Sequence, residues 1–394
     1  RQFCKKTERA IPYCQSSDVT NALEGSDVYI NKAQATKVGS VVEENQILLT
    51  GFGTIGNTRL INELSAGISY ANNACRIQVN DGSSYGYIYA VMSSKYGRSQ
   101  LNKNASGSVV RYIEAPGVKK TLIPNISKFK QENINSLIID SSKLRVEANK
   151  LLTEAINILE DRLPNIEFEN IYESKISSRV KENLRIEATF NTNAIENFYK
   201  NLDGDNVELK SIFELSQKVF TPGIFKRIRT NNPNKGIPYL GGSDLLNQNP
   251  NFKSFLSRKM KNIDDYILRS GWIAIQDAGT IGYISLITNF LDGISATNNL
   301  VRIVPNEDDN KNYYIYCFLK TNVGQKLLKS LEYGSVQKHI DNHQIAKFLI
   351  PIYKDIEVTV SQKIEKCINS LSAACFMENE AIALVEKEIE EWQK

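Results

Sequence analysis

The chain contains two copies of one pattern, and a duplication of this length leaves few folds open. Gly53-Thr54-Ile55-Gly56 returns 226 residues later as Gly279-Thr280-Ile281-Gly282. The same offset carries Ile11-Pro12-Tyr13 onto Ile237-Pro238-Tyr239, Gly67-Ile68-Ser69 onto Gly293-Ile294-Ser295, Asn72-Asn73 onto Asn298-Asn299, and Arg76-Ile77 onto Arg302-Ile303. One residue is then gained. At offset 227, Tyr87-Ile88-Tyr89 meets Tyr314-Ile315-Tyr316, Gly107-Ser108-Val109 meets Gly334-Ser335-Val336, and Ile123-Pro124 meets Ile350-Pro351. Solenoid and propeller units repeat every roughly 20 to 50 residues, so each copy here is expected to be a whole domain followed by a connector. Two similar domains suit a two-part target.

The connectors follow Pro124 and Pro351, where Gly- and Tyr-rich alternation gives way to helical periodicity. In the first, Leu137, Ser141, Leu144, Ala148, Leu151, Ala155 and Ile158 recur at spacings of four and three, the heptad pattern of a coiled-coil seam, and Pro164 ends it. In the second, Ile364, Ile368, Leu371, Cys375, Ile382, Val385, Ile389 and Trp392 form the seam, with Glu378 as the one polar interruption. Small residues on one seam admit larger ones from the other, which predicts antiparallel pairing in a pseudo-twofold dumbbell. The alternative packs each helix on its own domain. At 1.5 Å per residue, about 35 helical residues span roughly 50 Å. That exceeds the roughly 34 to 36 Å of one DNA turn, so the rod would act as a ruler.

Within each copy, the runs 46–50, 74–79, 272–275 and 300–304 read as strands, and 85–96 and 313–323 as helices, giving an α/β unit. The Gly-Thr-Ile-Gly element sits where a strand ends, where its glycines permit a tight turn. It lacks the spacing of a phosphate loop. The six cysteines, Cys4, Cys14, Cys75, Cys317, Cys367 and Cys375, include no Cys-x-x-Cys pair, which points to reduced structural thiols. No window suits a spanning helix and no signal-peptide layout is present, so a cytoplasmic protein without membrane contact is expected. Arg1 is expected to lie inside the first domain, because the stretch 185–229 has no counterpart before it.

Catalytic constellations are few. His339 and His343 would share a face if their segment were helical, but no third histidine supports a metal site, and none is expected. Glu173-Ser174-Lys175 resembles the end of a nuclease motif but reads as helix-surface charge. No Asn/Asp-Pro-Pro-aromatic methyl-transfer motif occurs.

Net charge is only +4, yet the charge is unevenly placed. Between Phe220 and Lys261, Lys226, Arg227, Arg229, Lys235, Lys253, Arg258, Lys259 and Lys261 stand against the single acid Asp244. Interleaved Asn231, Asn232, Asn234 and Ser243 suit base-edge hydrogen bonding beside phosphate contacts. Copy one begins with its own basic residues, Arg1, Lys5, Lys6 and Arg9.

With these motifs in place, the layout resembles the specificity (S) subunit of type I restriction-modification systems. The likeness is carried by Ile237-Pro238-Tyr239-Leu240-Gly241-Gly242-Ser243-Asp244, Ala278-Gly279-Thr280-Ile281-Gly282, Gly334-Ser335-Val336-Gln337 and Leu349-Ile350-Pro351. Weaker counterparts lie in copy one, where Val110 replaces the glutamine. The resemblance implies an α/β recognition domain at 1–127, a spacer helix at 128–178, a second recognition domain at 179–353 and a second spacer helix at 354–394. It further implies that each domain reads half of an asymmetric, bipartite double-stranded DNA target. The spacer, its helices paired along the seam of Leu137, Leu144, Leu151, Ile158, Ile364, Leu371, Ile382, Val385 and Ile389, would dock two methyltransferase subunits. Those partners would use S-adenosylmethionine, and a restriction subunit, where present, would use ATP and Mg. This chain would bind no cofactor and catalyse nothing. Lys5, Lys6, Arg9, Ser16, Ser17 and Arg111 are the expected DNA contacts in copy one. In copy two they are Lys226, Arg227, Arg229, Asn231, Asn232, Lys235, Ser243, Gln337 and Lys338. Two rival readings are the recognition half of a single-chain restriction-methylation enzyme and a two-headed protein scaffold that does not touch DNA.

Overall fold

The computed structural model describes residues 3–23, 26–80, 84–166, 190, 192–202, 206–224, 226–278, 281–307 and 309–392. Glu173-Ser174-Lys175, Gly279 and Thr280 lie outside them. The chain divides into two compact units. Unit 1 comprises Arg1–Asn149, Leu246–Asn249 and Ser370–Lys394; unit 2 comprises Lys150–Leu245 and Pro250–Asn369.

Unit 1 holds two small sheets. One orders Phe3–Cys4, Tyr29–Asn31, Ala10–Cys14 and Ser69–Tyr70; the other orders Thr58–Leu60, Ile47–Thr50 and Ala74–Ile77. The run Ile47-Leu48-Leu49 is fully buried, as expected of a central strand covered on both faces. Unit 2 repeats the design. Arg229–Thr230, Phe255–Ser257, Gly236–Leu240 and Ser295–Ala296 form one sheet. Ile284–Leu286, Ile273–Gln276, Leu300–Pro305 and Ser216–Phe220 form the other.

The repeated motifs meet one another in space. Tyr13 pairs in parallel with Ser69, and Tyr239 with Ser295, so Ile-Pro-Tyr and Gly-Ile-Ser are neighbouring strands in both units. The repeated arginine ties one sheet to the other. Arg76 Nη2 donates to the carbonyls of Tyr70 and Ser40, both at 3.1 Å. Arg302, with no exposed surface, donates to those of Leu300 at 3.0 Å, Thr297 at 3.2 Å and Ala296 at 3.5 Å. The repeated tyrosine anchors the Ile-Pro motif: Tyr87 Oη donates to Pro124 O at 2.6 Å, and Tyr314 Oη to Pro351 O at 3.0 Å.

Each expected central helix is in fact two. Tyr85–Ser93 stops at Ser94, whose extended backbone starts Lys95–Lys103, and Asn312–Lys320 stops at Thr321 before Asn322–Ser330. The Ser94 and Thr321 hydroxyls accept from the amides of Gly97 and Gly324, satisfying orphan donors of the second helix. A Cβ on Gly324 would lie 2.0 Å from Phe318 O, so only glycine fits this bend.

The units differ at one edge. In unit 2, Ser216–Phe220 covers the outer edge of Leu300–Pro305, and Val207–Ser211 pairs with Leu349–Tyr353. Among the described residues of unit 1, no strand covers Ala74–Ile77 on that side. A cleft of about 1490 Å³ runs there instead, past Phe52, Cys75, Ile77, Val79, Lys119 and Ile123.

Two long helices, Lys128–Glu160 and Glu357–Glu391, contribute to both units, and each unit pairs its own stretches antiparallel. In unit 1, Lys130 Nζ meets Glu388 Oε1 at 2.6 Å and Ser141 Oγ donates to Ala374 O at 2.8 Å. In unit 2, Lys363 Nζ meets Glu154 Oε2 at 2.6 Å and Arg162 pairs with Asp355. The buried line on the first helix is Ile134, Ile138, Ser141, Arg145, Ala148, Leu152, Ala155 and Leu159. On the second it runs through Val360, Ile364, Cys367, Ala374, Glu378, Ala381 and Val385. Of the expected seam, Ser141, Ala148, Ala155, Ile364, Ile368, Cys375 and Val385 are buried, with Glu378 among them. The rest is corrected: Leu137, Leu144, Leu151, Ile158, Leu371, Ile382 and Ile389 are half-buried at the flanks, and Trp392 is exposed. Two positions of the buried line carry charges that satisfy each other.

Those charges are Arg145 and Glu378, 7% and 3% exposed and 2.6 Å apart in unit 1. Tyr89 Oη at 2.8 Å and Asn249 Nδ2 at 2.9 Å donate to Glu378 Oε1. Arg145 also donates to Ser141 Oγ and Gln248 O. Burial alone would lower the arginine pKa, but the Glu378 carboxylate outweighs it and holds the guanidinium above its usual value. Leu246–Asn249 reach this cluster from the second copy. Ala22 N donates to Leu246 O at 2.8 Å and Gln248 N to Thr20 O at 2.6 Å, a reciprocal pair because the repeat maps 20–22 onto 246–248.

In unit 2, burial lowers the Lys320 amine from 10.5 to about 8, against a raising influence of Cys367. The unfolded chain therefore binds the Lys320 proton more tightly. This residue's contribution to stability rises with pH from about 8 to about 10.5 and is unfavourable below that window. Lys320→Met is expected to stabilise unit 2 at pH 7 by on the order of 1 kcal/mol. It should also flatten the difference in urea midpoint between pH 7 and about pH 10 relative to the parent. An identical pH dependence in both proteins would refute this.

Candidate nucleic-acid interface

In unit 2 the basic segment is organised around one tyrosine of the repeat. Tyr239 is held in its strand by pairing with Ser295 and packs against Leu256, Met260 and Tyr266. The Arg227 and Arg229 guanidinium carbons lie 5.7 and 5.6 Å from its ring centroid. Arg227 Nη2 also donates to Asn298 Oδ1 at 2.6 Å, so a second repeated residue fixes the same cation. Both arginines remain exposed, which leaves guanidinium donors for phosphate or guanine while the tyrosine face limits their freedom.

The other expected contacts separate into free and engaged groups. Lys226, Asn231 and Lys235 are exposed on the same segment, and Ser243 is exposed on the short turn Ser243–Leu246. Asn232 is exposed too, but its side chain accepts from Asn234 N at 3.0 Å and caps the turn Pro233–Lys235. Gln337 and Lys338 are exposed on a separate hairpin, closed by Tyr333 and His339. His339 precedes the helix Asn342–Ala346, so it does not share a helical face with His343. Asp341 caps that helix by accepting from Gln344 N. No group of metal-ligating side chains occurs among the described residues.

In unit 1, Lys5, Lys6 and Arg9 are exposed, with the Lys6 amine 6.0 Å from the Tyr29 ring centroid. Ser17 is exposed and Ser16 half-buried in a turn whose Asp18 accepts from Gln15 N at 2.7 Å. Arg111 is exposed and donates to Asn102 O. The counterpart of Tyr239 is Tyr13, and where unit 2 seats Arg229, unit 1 seats Phe3, in edge contact at 5.5 Å and 59% exposed. The same scaffold therefore presents a cation in one unit and an aromatic ring in the other. The sequence reading missed Tyr239, Asn298 and Phe3 as parts of the surface. The Ile-Pro-Tyr and Asn-Asn repeats marked two of them, whereas Phe3 lies outside any repeated motif.

Residues 201–386 match the family model described as the type I restriction modification DNA specificity domain. No curated protein matches significantly. Among solved structures, the chain is similar to the HsdS subunit of Thermoanaerobacter tengcongensis, with 12% identity, TM-score 0.34, and coverage of 96% of this chain and 90% of that one. It is also similar to the type I restriction-modification S subunit of M. genitalium, with 14% identity, TM-score 0.36 and coverage of 97% and 90%. A third similar structure, described for complex assembly and conformational transition of the type I R-M system, gives 11%, 0.32, 96% and 88%. The matched region is the second copy with most of its helix, and the first copy repeats its motifs and sheets. Residues 201–386 are thus similar to the type I restriction modification DNA specificity domain.

Proposed function

We propose that each unit reads one half of an asymmetric, bipartite site in double-stranded DNA. The observation that carries this reading is the pair of equivalent surfaces with different tips, Arg229 on Tyr239 and Phe3 on Tyr13. Two identical readers would favour a palindrome, whereas two scaffolds with unlike side chains suit unlike half-sites. The paired helices dock two methyltransferase subunits, which bring S-adenosylmethionine. Where a restriction subunit joins, it brings ATP and Mg. The chain itself contributes sequence choice without catalysis, inside the cytoplasm. Among the described residues no helix is long and apolar enough to cross a membrane.

Lys226→Ala with Arg227→Ala tests the DNA-facing role of the basic segment. Binding should weaken about equally for cognate and unrelated duplexes, and the slope of log affinity against log salt should flatten by about 1 to 2. Gel-shift titrations at several salt concentrations measure this, and an unchanged slope would remove the segment from the interface.

A further inference from the structure

Most residues that the two copies share have work inside a unit, but one repeated pair does not. Val109 and Val336 stand 94% and 101% exposed at the tips of equivalent hairpins. Ser106 and Tyr112 exchange both backbone hydrogen bonds at 2.8 and 2.9 Å, as do Tyr333 and His339 at 3.0 and 2.9 Å, so each hairpin is firmly closed. Gly107 and Gly334 have φ of +90° and +97°, and a Cβ on either would lie 2.3 or 2.4 Å from the carbonyl oxygen three residues on. The tips are thus fixed in shape. In unit 1 the hairpin is braced from behind, where Phe52 stacks on Tyr112 at 5.5 Å and Gly53 N donates to Arg111 O at 3.1 Å. That brace is the Gly-Thr-Ile-Gly loop.

A fully exposed valine contributes nothing to a fold, yet both copies place it at the same point. Both also keep a hydroxyl before it, Ser108 or Ser335, and a cation two residues after it, Arg111 or Lys338. Only the residue between differs, Val110 in unit 1 and Gln337 in unit 2. Hydroxyl and cation suit phosphate oxygens, and an apolar tip suits the sugars and base faces of a groove wall. None of these contacts depends on sequence, which fits their presence in both readers. The differing position has the opposite character: glutamine can bond both adenine edge atoms, and valine can pack on a thymine methyl.

Resting on the bipartite DNA reading above, we infer that each hairpin enters a DNA groove, with Val109 and Val336 as shared positioning contacts and Val110 and Gln337 as base-reading residues. The test uses the full chain with its partner subunits and selects binding sites from a randomised duplex pool. Val109→Ser with Val336→Ser should leave the selected motif unchanged while weakening binding about fivefold or more. Gln337→Val should change the preferred base at one or two positions in one half only, with about tenfold loss on the original site, and Val110→Gln should do so in the other half. All four positions are exposed, so the variants should fold as the parent does. A motif unmoved by Gln337→Val and Val110→Gln would overturn the base-reading role. Undiminished affinity in the double valine variant, or loss of subunit assembly in place of DNA affinity, would overturn the groove contact. A parent complex that selects no two-part motif would instead refute the reading on which the inference rests.

Discussion

Glu378→Ala alone is expected to destabilise unit 1 by about 3–5 kcal/mol, because it strands the Arg145 charge in a site with almost no access to water. Tyr89 and Asn249 lose their acceptor at the same time. The pair itself need not be stabilising, since each ion gave up its hydration to enter the seam. Replacing both residues, Arg145→Met with Glu378→Leu, should therefore recover most of the loss. What the double variant gives up is specificity, because a charge on each helix penalises every register in which the two do not meet. Urea titration of the parent, the single variant and the double variant separates these outcomes. Equal destabilisation of the single and double variants would show that the ion pair stabilises in its own right.

Arg302→Met is expected to cost unit 2 about 3 kcal/mol or more. Methionine fills much of the volume, but the carbonyls of Leu300, Thr297 and Ala296 lose their donor in a wholly buried site. Burial already lowers the Arg302 pKa to about 10, with Tyr266, Asp265 and Asp277 acting the other way, so the guanidinium stays charged at neutral pH. Its cation also stands 5.9 Å from the Phe220 ring, on the edge strand. Loss of the donor should loosen Ser216–Phe220 and Ser295–Ala296 together. Hydrogen exchange would register faster amides in both strands, and a change confined to Leu300–Pro305 would contradict the view that this arginine joins the sheets.

The duplication was plain in the sequence because its motifs are structural. Ile-Pro-Tyr and Gly-Ile-Ser are strand partners, and Tyr87 and Tyr314 hold the prolines of the Ile-Pro motif, so both copies must keep them. The strands beginning near residues 46, 74, 272 and 300 were legible as apolar runs bounded by turns. The breaks at Ser94 and Thr321 were not, because an N-cap inside a helical pattern leaves the periodicity almost intact. The seam was only partly legible: Ser141, Ala148 and Ala155 were read on it, but Arg145 looks like surface until its partner, 233 residues away, is known. At the candidate interface the basic character of 226–235 was visible, whereas the platform under it was not. Tyr239 stands out in the sequence only as part of the repeated Ile-Pro-Tyr, and only the fold brings Arg227, Arg229 and Asn298 around it.

The central claim is that one chain with two unlike readers selects a two-part DNA site for methylation by its partners. Single-molecule sequencing of adenine methylation in the source genome, with and without this gene, tests it most directly. The account predicts that deletion abolishes methylation at one asymmetric motif, two short specified halves around a fixed unspecified gap, and leaves every other motif intact. Methylation at a two-part motif that persists in full after deletion would contradict it.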